Sequence, residues 1–505
     1  MHIVLTIIYL ACIIMKNLLL FKQIKENFMV FSSMVFLLGF LPCLIFFYFI
    51  VPQGKNGWFL PWKNLVLLIF SLIFYAWGGV AYLGILGVSI AVNYIGGLLV
   101  TYPKSGKLKK LFLFIVMALN LGMLGWYKYA GFAAQAAVSL GIPVTVPEIV
   151  LPIGISFFTF QGMSYVIDVY RGDAHIQKNP LNVALYVALF PQLVAGPIVR
   201  YTTVESEIGM RSHTVKEFSD GIIRFMIGFG KKMILANAMG EIADQIFGLN
   251  IEVLTTASAW IGAIAYTFQI YFDFSAYSDM AIGLGRMFGF HFEENFNYPY
   301  ISSSVTEFWR RWHISLSRWF RDYVYIPLGG NRCSRLRHIF NLIVVWTLTG
   351  LWHGANWTFI VWGIYFGILL VAEKYLLSGI LPKIPAVIRH AVTLLLVIVS
   401  WVLFRSDTIS LAAQYVGVMF GAGGRLVSPD AFYYIRQYYP EFIISIAAVF
   451  PIRRIIENII EKHSGKLSVF VFGQLAPKAF AVIVFVLGYF KLVSGSFNPF
   501  IYFQF

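Results

Sequence analysis

Two histidines of this chain stand in surroundings where an imidazole could move a proton. His353 lies in TLTGLWHGANWT (347–358), inside a run from 339 to 372 that contains no Asp, Glu, Lys or Arg. An ionisable group in such an apolar run is costly, which makes it a candidate functional residue. Burial favours the neutral imidazole, which can accept a proton from a hydroxyl as a general base in acyl transfer does. The pattern fits equally well a buried histidine that bonds a carbonyl at a helix break, marked by Gly350 and Gly354.

The second histidine, His313, lies in EFWRRWHISLSRWFRDYVYIPLGGNR (307–332), which concentrates five arginines and three tryptophans. At about 100° per residue, a helix here has an apolar face and a polar face, with His313 at the border. The apolar face holds Trp309, Trp312 and Trp319, and the polar face holds Arg310, Arg311 and Arg318. This pattern predicts an amphipathic helix in the membrane interface, with arginines at the headgroups and indoles at the polar–apolar boundary.

Two interpretations of this interfacial helix stay open on spacing alone. It is either an anchor in the membrane interface or the floor of a cytoplasmic entrance. In the second case the arginines Arg310, Arg311 and Arg318 receive an anionic donor such as a nucleotide-bearing thioester.

The elements that must position these residues are membrane helices. Of 505 residues, 59% are hydrophobic and 12% charged, whereas an average soluble domain is about 25% charged. Runs of about 20 apolar residues predict an all-α polytopic membrane protein with eleven to thirteen transmembrane helices. The net charge of +15 fits cytoplasmic basic loops and anionic lipid better than a nucleic-acid partner, which we do not expect.

Basic loops predict the orientation in the cell membrane. KSGKLKK (104–110) and the arginine-rich residues 310–338 are expected on the cytoplasmic side. If the fifteen residues from His338 to His353 form an upright helix, they rise about 22 Å. His353 would then lie beyond the midplane of a hydrocarbon core about 30 Å thick, and a tilted helix would place it less deep.

Three further features of the sequence are two aspartates in an apolar segment, the cysteines and the N-terminal residues. Asp273 and Asp279 lie in YFDFSAYSDMAIGLGRMFGF (271–290), where ion pairs with arginines are more common than a cavity lining. The three cysteines show neither a disulfide framework nor a metal-ligand spacing. Residues 1–28 are a doubtful N-terminal extension, and Met29 is the predicted true start of a single integral-membrane domain, 29–505.

Taken together, the sequence blocks resemble the membrane-bound O-acyltransferase family, in its alginate O-acetyltransferase type that acetylates exported polysaccharides. The resemblance covers nearly everything after residue 28, and both histidine blocks in this order are highly specific to the family. The further matching blocks are MVFSSMVFLLGFLP (29–42), LPIGISFFTFQGMSYVIDVYR (151–171), PQLVAGPIVRY (191–201), residues 271–290, ENFNYPY (294–300), WVLFRS (401–406) and SFNPFIYFQF (496–505).

The resemblance implies a fold, two site residues and an activity. The fold is a multi-helix membrane bundle with a central passage. The family's invariant histidine matches His353, the expected catalytic residue, and its second characteristic histidine matches His313. No cofactor is expected to be bound. The implied donor is cytoplasmic acetyl-CoA or an acyl carrier, and the implied partner is an extracytoplasmic SGNH-type acetyltransferase.

Two alternative functions stay open at this point. The first is D-alanyl transfer to teichoic acid, which related enzymes perform. The second, from a different class, is a polysaccharide or solute transporter, for which internal repeats and paired interrupted helices would be typical. The acceptor polymer, which could be alginate, peptidoglycan or cellulose, is not predicted by the sequence.

Overall fold

The computed structural model of the chain describes residues 29–52, 59–452, 455, 475–495 and 500–501. All its regular structure in these ranges is helical, which confirms the predicted all-α class. The predicted extension 1–28, and with it the later start, lies outside the described residues.

The chain forms two compact units, and each is built from separate stretches of sequence. The first takes the residues up to Ala134, Val144–Ile222 and Met280–Phe292. The second takes Gln135–Pro143, Ile223–Asp279 and Glu293–Phe505. Both histidines singled out above therefore belong to the second unit.

Helices of the first half of the chain lie mainly in the first unit. In chain order they are α1 (Leu41–Ile50), α2 (Leu60–Trp77), α3 (Ala81–Thr101), α4 (Gly106–Leu124), α5 (Ala130–Ser139), α6 (Ile155–Arg171), α7 (Pro180–Ala188), α8 (Phe190–Leu193) and α9 (Tyr201–Gly209). Short π-helical segments at Val35–Phe40 and Gly125–Tyr129 precede α1 and join α4 to α5.

Helices of the second half carry the predicted site. They are α10 (Val215–Gly230), α11 (Asn237–Phe247), α12 (Thr256–Met287), α13 (Val305–Arg311), α14 (Ile314–Phe320), α15 (Arg335–His353), α16 (Trp357–Tyr375), α17 (Ala386–Arg405), α18 (Ile409–Met419), α19 (Pro429–Ala448) and α20 (Ala476–Val493). Helices α10 and α12 contribute residues to both units.

Six helical stretches in the described part of the chain are long and apolar enough to cross a membrane. They are Leu60–Trp77, Ala81–Thr101, Gly106–Ser139, Trp357–Tyr375, Ala386–Arg405 and Ala476–Val493. The protein is thus a multi-pass membrane protein, as its composition predicts. The number of eleven to thirteen spans stays a prediction.

Helices α15 and α16 form the antiparallel hairpin that holds His353. The side chain of Asn356 caps α16 by accepting from the backbone N–H of Thr358 at 3.1 Å. A Cβ on Gly350 would lie 2.1 Å from the carbonyl oxygen of Phe359. A Cβ on Gly363 would lie 2.2 Å from the carbonyl oxygen of Trp346. Since real Cβ atoms do not come so close, both glycines are needed for the two backbones to meet.

The predicted interfacial helix is not one helix, and this prediction is wrong. Helix α13 ends at Arg311, and α14 begins at Ile314. Between them, Trp312 is extended and His313 has the left-handed backbone values φ 43° and ψ 54°. The apolar and polar residues keep a helical spacing across this break, which is why periodicity alone did not reveal it.

Candidate active site

His353 lies at the C-terminal end of α15 and lines a narrow pocket. The rest of the lining is apolar or aromatic, and all of it belongs to the second unit. The lining residues are Ile270, Phe274, Phe404 and Ile501, with the indoles of Trp312, Trp362 and Trp401. The pocket therefore offers one imidazole in surroundings from which bulk water is largely excluded.

Aromatic rings fix the orientation of the His353 imidazole. The ring centroids of Trp352 and Trp362 lie 5.1 Å from its own, and that of Phe404 lies 5.3 Å away. All three contacts are close to perpendicular, the edge-to-face geometry that aromatic pairs favour. A base held in a packed site needs little reorganisation before it can accept a proton.

His313 is buried in the break between α13 and α14, with 1% of its surface exposed. Its Nδ1 lies 3.2 Å from the side-chain oxygen of Asn295. Its Nε2 is buried and has no hydrogen-bond partner among the described residues. Burial lowers the pKa of His313 to about 3, so the imidazole is neutral at physiological pH.

The two histidines share neighbours, so they belong to one site. The indole of Trp352 contacts both, with ring centroids 5.1 Å from His353 and 5.9 Å from His313. Phe274 lines the pocket of His353 and packs edge-on against His313 at 4.6 Å. His313 and His353 are 40 positions apart in the sequence, and the fold brings both into the same aromatic cluster.

The tryptophans of the predicted apolar face are buried and pack against protein rings, so they do not face lipid, and their depth in the membrane stays a prediction. Trp309 and Trp312 are 6% and 3% exposed. Trp309 packs against Trp346 at a centroid distance of 4.5 Å, and Trp312 packs against Trp401 at 4.9 Å. Trp312 lines the pocket, and Trp309 packs behind the pocket wall against Trp362 at a centroid distance of 5.6 Å.

The arginines of the same stretch divide into paired and exposed side chains. Arg311 forms an ion pair with Glu307 at 2.9 Å and donates to the carbonyl of Asn297. Arg318 forms an ion pair with Glu293. Arg310 is exposed. The structure therefore gives Arg311 and Arg318 carboxylate partners, and the donor-entrance role of all three stays a prediction.

Both predicted aspartates form ion pairs with basic residues of the second unit. Asp279 contacts Arg224 at 2.8 Å and Lys231 at 2.6 Å. Asp273 is buried and contacts Lys232 at 2.7 Å.

The carboxylate of Asp273 has a second partner beside its ion pair. It accepts the backbone N–H of Ile501 at 2.7 Å. Because Ile501 lines the pocket, Asp273 links this charge pair to the wall beside His353.

Comparison with known proteins matches the chain to a family. The model of the MBOAT family, the membrane-bound O-acyltransferases, matches residues 154–405, which include both histidines. The chain is 41% identical to a probable alginate O-acetylase of Azotobacter vinelandii, over 94% of this chain and 100% of that relative. It is 34% identical to a peptidoglycan O-acetyltransferase of Helicobacter pylori, over 78% of this chain and 80% of that relative. A teichoic acid D-alanyltransferase of Bacillus subtilis is 32% identical over 44% of this chain and 59% of its own length.

The chain belongs to the membrane-bound O-acyltransferase family. It is therefore a multi-pass membrane enzyme that transfers acyl groups to hydroxyls, as the resemblance of the histidine blocks implied. Within the described ranges, no group of three or more His, Cys, Asp or Glu side chains is placed to hold a metal ion.

Several residues of this candidate site escaped the sequence interpretation. Asn295, Lys232, Trp352, Trp401 and Phe404 are all part of it. Four of the five stand inside the sequence blocks quoted for the family resemblance, so a signal was present. Nothing in the spacing indicated which block contacts which, and Lys232 stands outside the blocks.

Proposed function

We propose that this O-acyltransferase moves an acetyl group from a cytoplasmic thioester donor across the membrane for O-acetylation of a cell-surface or exported polysaccharide. The observation that carries this proposal is His353, an imidazole set in an otherwise apolar and aromatic pocket. The donor is acetyl-CoA or an acetylated carrier. Similarity over the whole length of an alginate O-acetylase supports the acetyl branch.

The lining of the pocket favours acetyl over D-alanyl transfer. A D-alanyl group carries an ammonium, which needs a carboxylate or several oxygen acceptors when it leaves water. No carboxylate is among the residues that line the described pocket. An acetyl group is small and uncharged, so it suits a narrow pocket with an aromatic lining. The D-alanyltransferase relative also matches less than half of this chain.

The proposed chemistry uses His353 as a general base. Its imidazole takes the proton of the acceptor hydroxyl while the hydroxyl oxygen attacks the thioester carbonyl. A C–O bond forms and the C–S bond breaks. The proton then passes from the imidazolium to the departing thiolate, so the base is restored. The acceptor hydroxyl belongs to the polysaccharide or to a partner that relays the acetyl group.

The surroundings of the reaction are also part of the proposal. The enzyme lies in the cell membrane with its basic loops, 104–110 and 310–338, in the cytoplasm. Arg310, exposed at the end of α13, is available to an anionic donor arriving from that side. An extracytoplasmic SGNH-type acetyltransferase is the proposed partner that completes transfer to the sugar.

The acyl group can be identified from the surface polymer of cells. Mild base releases ester-linked acyl groups from the polymer of wild-type cells and of cells that lack this gene. We expect mild base to release acetate from the polymer of wild-type cells and no acetate from the polymer of the deletion strain. Release of D-alanine in place of acetate would overturn the acetyl assignment, and unchanged acetate in the deletion strain would overturn the proposed function.

A further inference from the structure

Asn295 holds the side chain of His313 through a single oxygen atom. This oxygen, Oδ1, lies 3.2 Å from Nδ1 of His313. It also accepts the backbone N–H of Ser315 at 3.2 Å and the hydroxyl of Ser315 at 2.9 Å. Asn295 is fully buried, so its amide cannot exchange these partners for water.

These contacts determine which nitrogen of His313 carries the proton. A backbone N–H can only donate, so the atom of Asn295 that faces Ser315 must be the oxygen and not the amide nitrogen. The same oxygen can only accept from His313, so Nδ1 is protonated. In a neutral imidazole the other nitrogen then carries the lone pair. Nε2 of His313 is therefore a buried proton acceptor.

The backbone of the same segment supports this arrangement. His313 is one of two non-glycine residues with positive φ in the described chain. The carbonyl of Asn295 accepts the N–H of Ile314 at 3.0 Å, directly after the strained residue. Backbone strain of this kind persists only where the surroundings over-determine it, and it clusters at functional sites.

A purely structural role of His313 and Asn295 does not explain why each side chain keeps one buried nitrogen atom without a hydrogen-bond partner among the described residues. Nε2 of His313 and Nδ2 of Asn295 are both buried without a hydrogen-bond partner among the described residues. Buried polar groups in a structural network are normally satisfied, because each unmet hydrogen bond is costly. If His313 and Asn295 served only for packing, apolar side chains would avoid the cost of these unmet hydrogen bonds. A base at His313, by contrast, needs a free lone pair.

We propose that Asn295 is a positioning residue that fixes His313 as its Nδ1–H tautomer and so presents Nε2 as a proton acceptor at the acyl-transfer site. This inference rests on the proposed function and on the shared neighbours that bring His313 and His353 into one site. It assigns Asn295 no contact with donor or acceptor. Its effect passes through His313.

Three substitutions separate positioning from packing. Asn295→Leu keeps the approximate size but removes the oxygen, so the tautomer is no longer fixed. Asn295→Asp keeps an acceptor at Nδ1 and adds a charge beside it. Ser315→Ala is the matched control, because it removes a donor from the same oxygen and leaves the bond to His313 in place.

The first readout is the nitrogen NMR spectrum of the full-length protein with ¹⁵N-labelled histidine in detergent, which does not depend on activity. The His313 signals are assigned by their loss in His313→Gln. We expect a protonated Nδ1 and an unprotonated Nε2 in the wild type and in Ser315→Ala. In Asn295→Leu the proton should move to Nε2 or exchange between both nitrogens. In Asn295→Asp the carboxylate should raise the pKa of His313 and make it titrate at higher pH.

The second readout is the rate of O-acetate formation on the surface polymer of complemented cells at equal amounts of membrane-inserted protein. We expect Asn295→Leu to lose about 10²- to 10⁴-fold, the range of one positioned acid–base group. Asn295→Asp should lose much less than Asn295→Leu, because its acceptor preserves the tautomer, and Ser315→Ala should stay near the wild type.

Each outcome decides between the claims. A wild-type His313 protonated at Nε2, or a wild-type rate in Asn295→Leu, overturns the positioning role of Asn295. Equal losses in Asn295→Leu and Asn295→Asp with an unchanged His313 spectrum also overturn it and indicate packing. Full acetylation by His353→Ala would instead overturn the proposed function, whatever Asn295 does.

Discussion

Replacing the carboxylate of Asp273 is expected to destabilise the second unit without removing a catalytic group. Asp273 and Lys232 are 1% and 5% exposed in their side chains, and their charged atoms are 2.7 Å apart. At an effective dielectric constant near 20, the attraction at this distance is about 6 kcal/mol. Desolvation of both charges offsets much of it, and loss of one partner of a buried pair typically costs about 3–5 kcal/mol.

Two substitutions at this position differ in one further contact. Asp273→Asn keeps a side-chain oxygen for the backbone N–H of Ile501 and loses only the charge. Asp273→Leu loses both, so an additional cost of about 1–3 kcal/mol is expected from the buried N–H. Asp273→Leu should also loosen Ile501 at the pocket wall. The charge is the larger part of the effect.

The assay is the apparent melting temperature of the purified protein in detergent, read beside polymer acetate in cells. Asp273→Asn should lower that temperature by roughly 6–20 °C, from a loss of about 3–5 kcal/mol at about 2–4 °C per kcal/mol. Lys232→Met combined with Asp273→Asn should recover most of the loss, since no buried charge loses its partner. Arg318→Ala is the control, because Arg318 and Glu293 are each about 40% exposed and such pairs contribute at most about 1 kcal/mol.

One pattern of results would refute this reasoning. If Asp273→Asn melts like the wild type but makes no polymer acetate, Asp273 acts on the substrate and the structural account of the ion pair fails. A double variant as unstable as Asp273→Asn would equally show that the unpaired charge of Lys232 is not the cause.

Three further predictions concern packing, acyl size and pH. Gly350→Ala should sharply reduce the amount of folded protein in the membrane, because its Cβ meets the carbonyl of Phe359, whereas Gly122→Ala, with no atom within 4 Å of its Cβ, should express normally. Ile501→Ala widens the pocket of His353, so the ratio of propionate to acetate on the polymer of cells fed propionate should rise about 10-fold or more, the effect of one methylene; an unchanged ratio would exclude Ile501 from acyl selection. Burial lowers the pKa of His291, but the carboxylates of Glu207 and Glu217 outweigh this and raise it above 6.5. The stability that this group contributes is therefore present below its ordinary pKa and is lost as pH rises through the raised value. In melting curves taken from pH 6 to 9, the stability of His291→Gln should therefore fall less with rising pH than that of the wild type. An identical pH dependence in both proteins would show that His291 does not contribute this stability.

The sequence indicates the candidate residues of the site better than their geometry. His353 stands out because a charge-free run of 34 residues, 339–372, contains one histidine. Helix α15 from Arg335 to His353 is continuous, as the rise assumed between His338 and His353 requires. The tight hairpin of α15 and α16 depends on Gly350 and Gly363, of which the sequence interpretation used only Gly350, and as a helix-break signal.

The partners of the site residues could not be predicted, because they come from distant parts of the chain. Helical periodicity shows that Trp309 and Trp312 share an apolar face, but lipid and protein cover such a face equally well. The contact of His313 with Asn295 spans 18 positions and that of Lys232 with Asp273 spans 41. Pairing over these separations is decided by tertiary packing, which a local pattern does not contain.

The acetate on the surface polymer of cells that carry His353→Ala measures whether His353 performs acyl transfer. Cells lacking the gene are complemented with the wild type, with His353→Ala, or with His175→Ala, whose side chain is 96% exposed. All three proteins are compared at equal amounts in the membrane. We expect His175→Ala to restore base-releasable acetate fully and His353→Ala to leave it at the level of the deletion strain. Wild-type acetate in the His353→Ala cells would show that His353 is not the catalytic base.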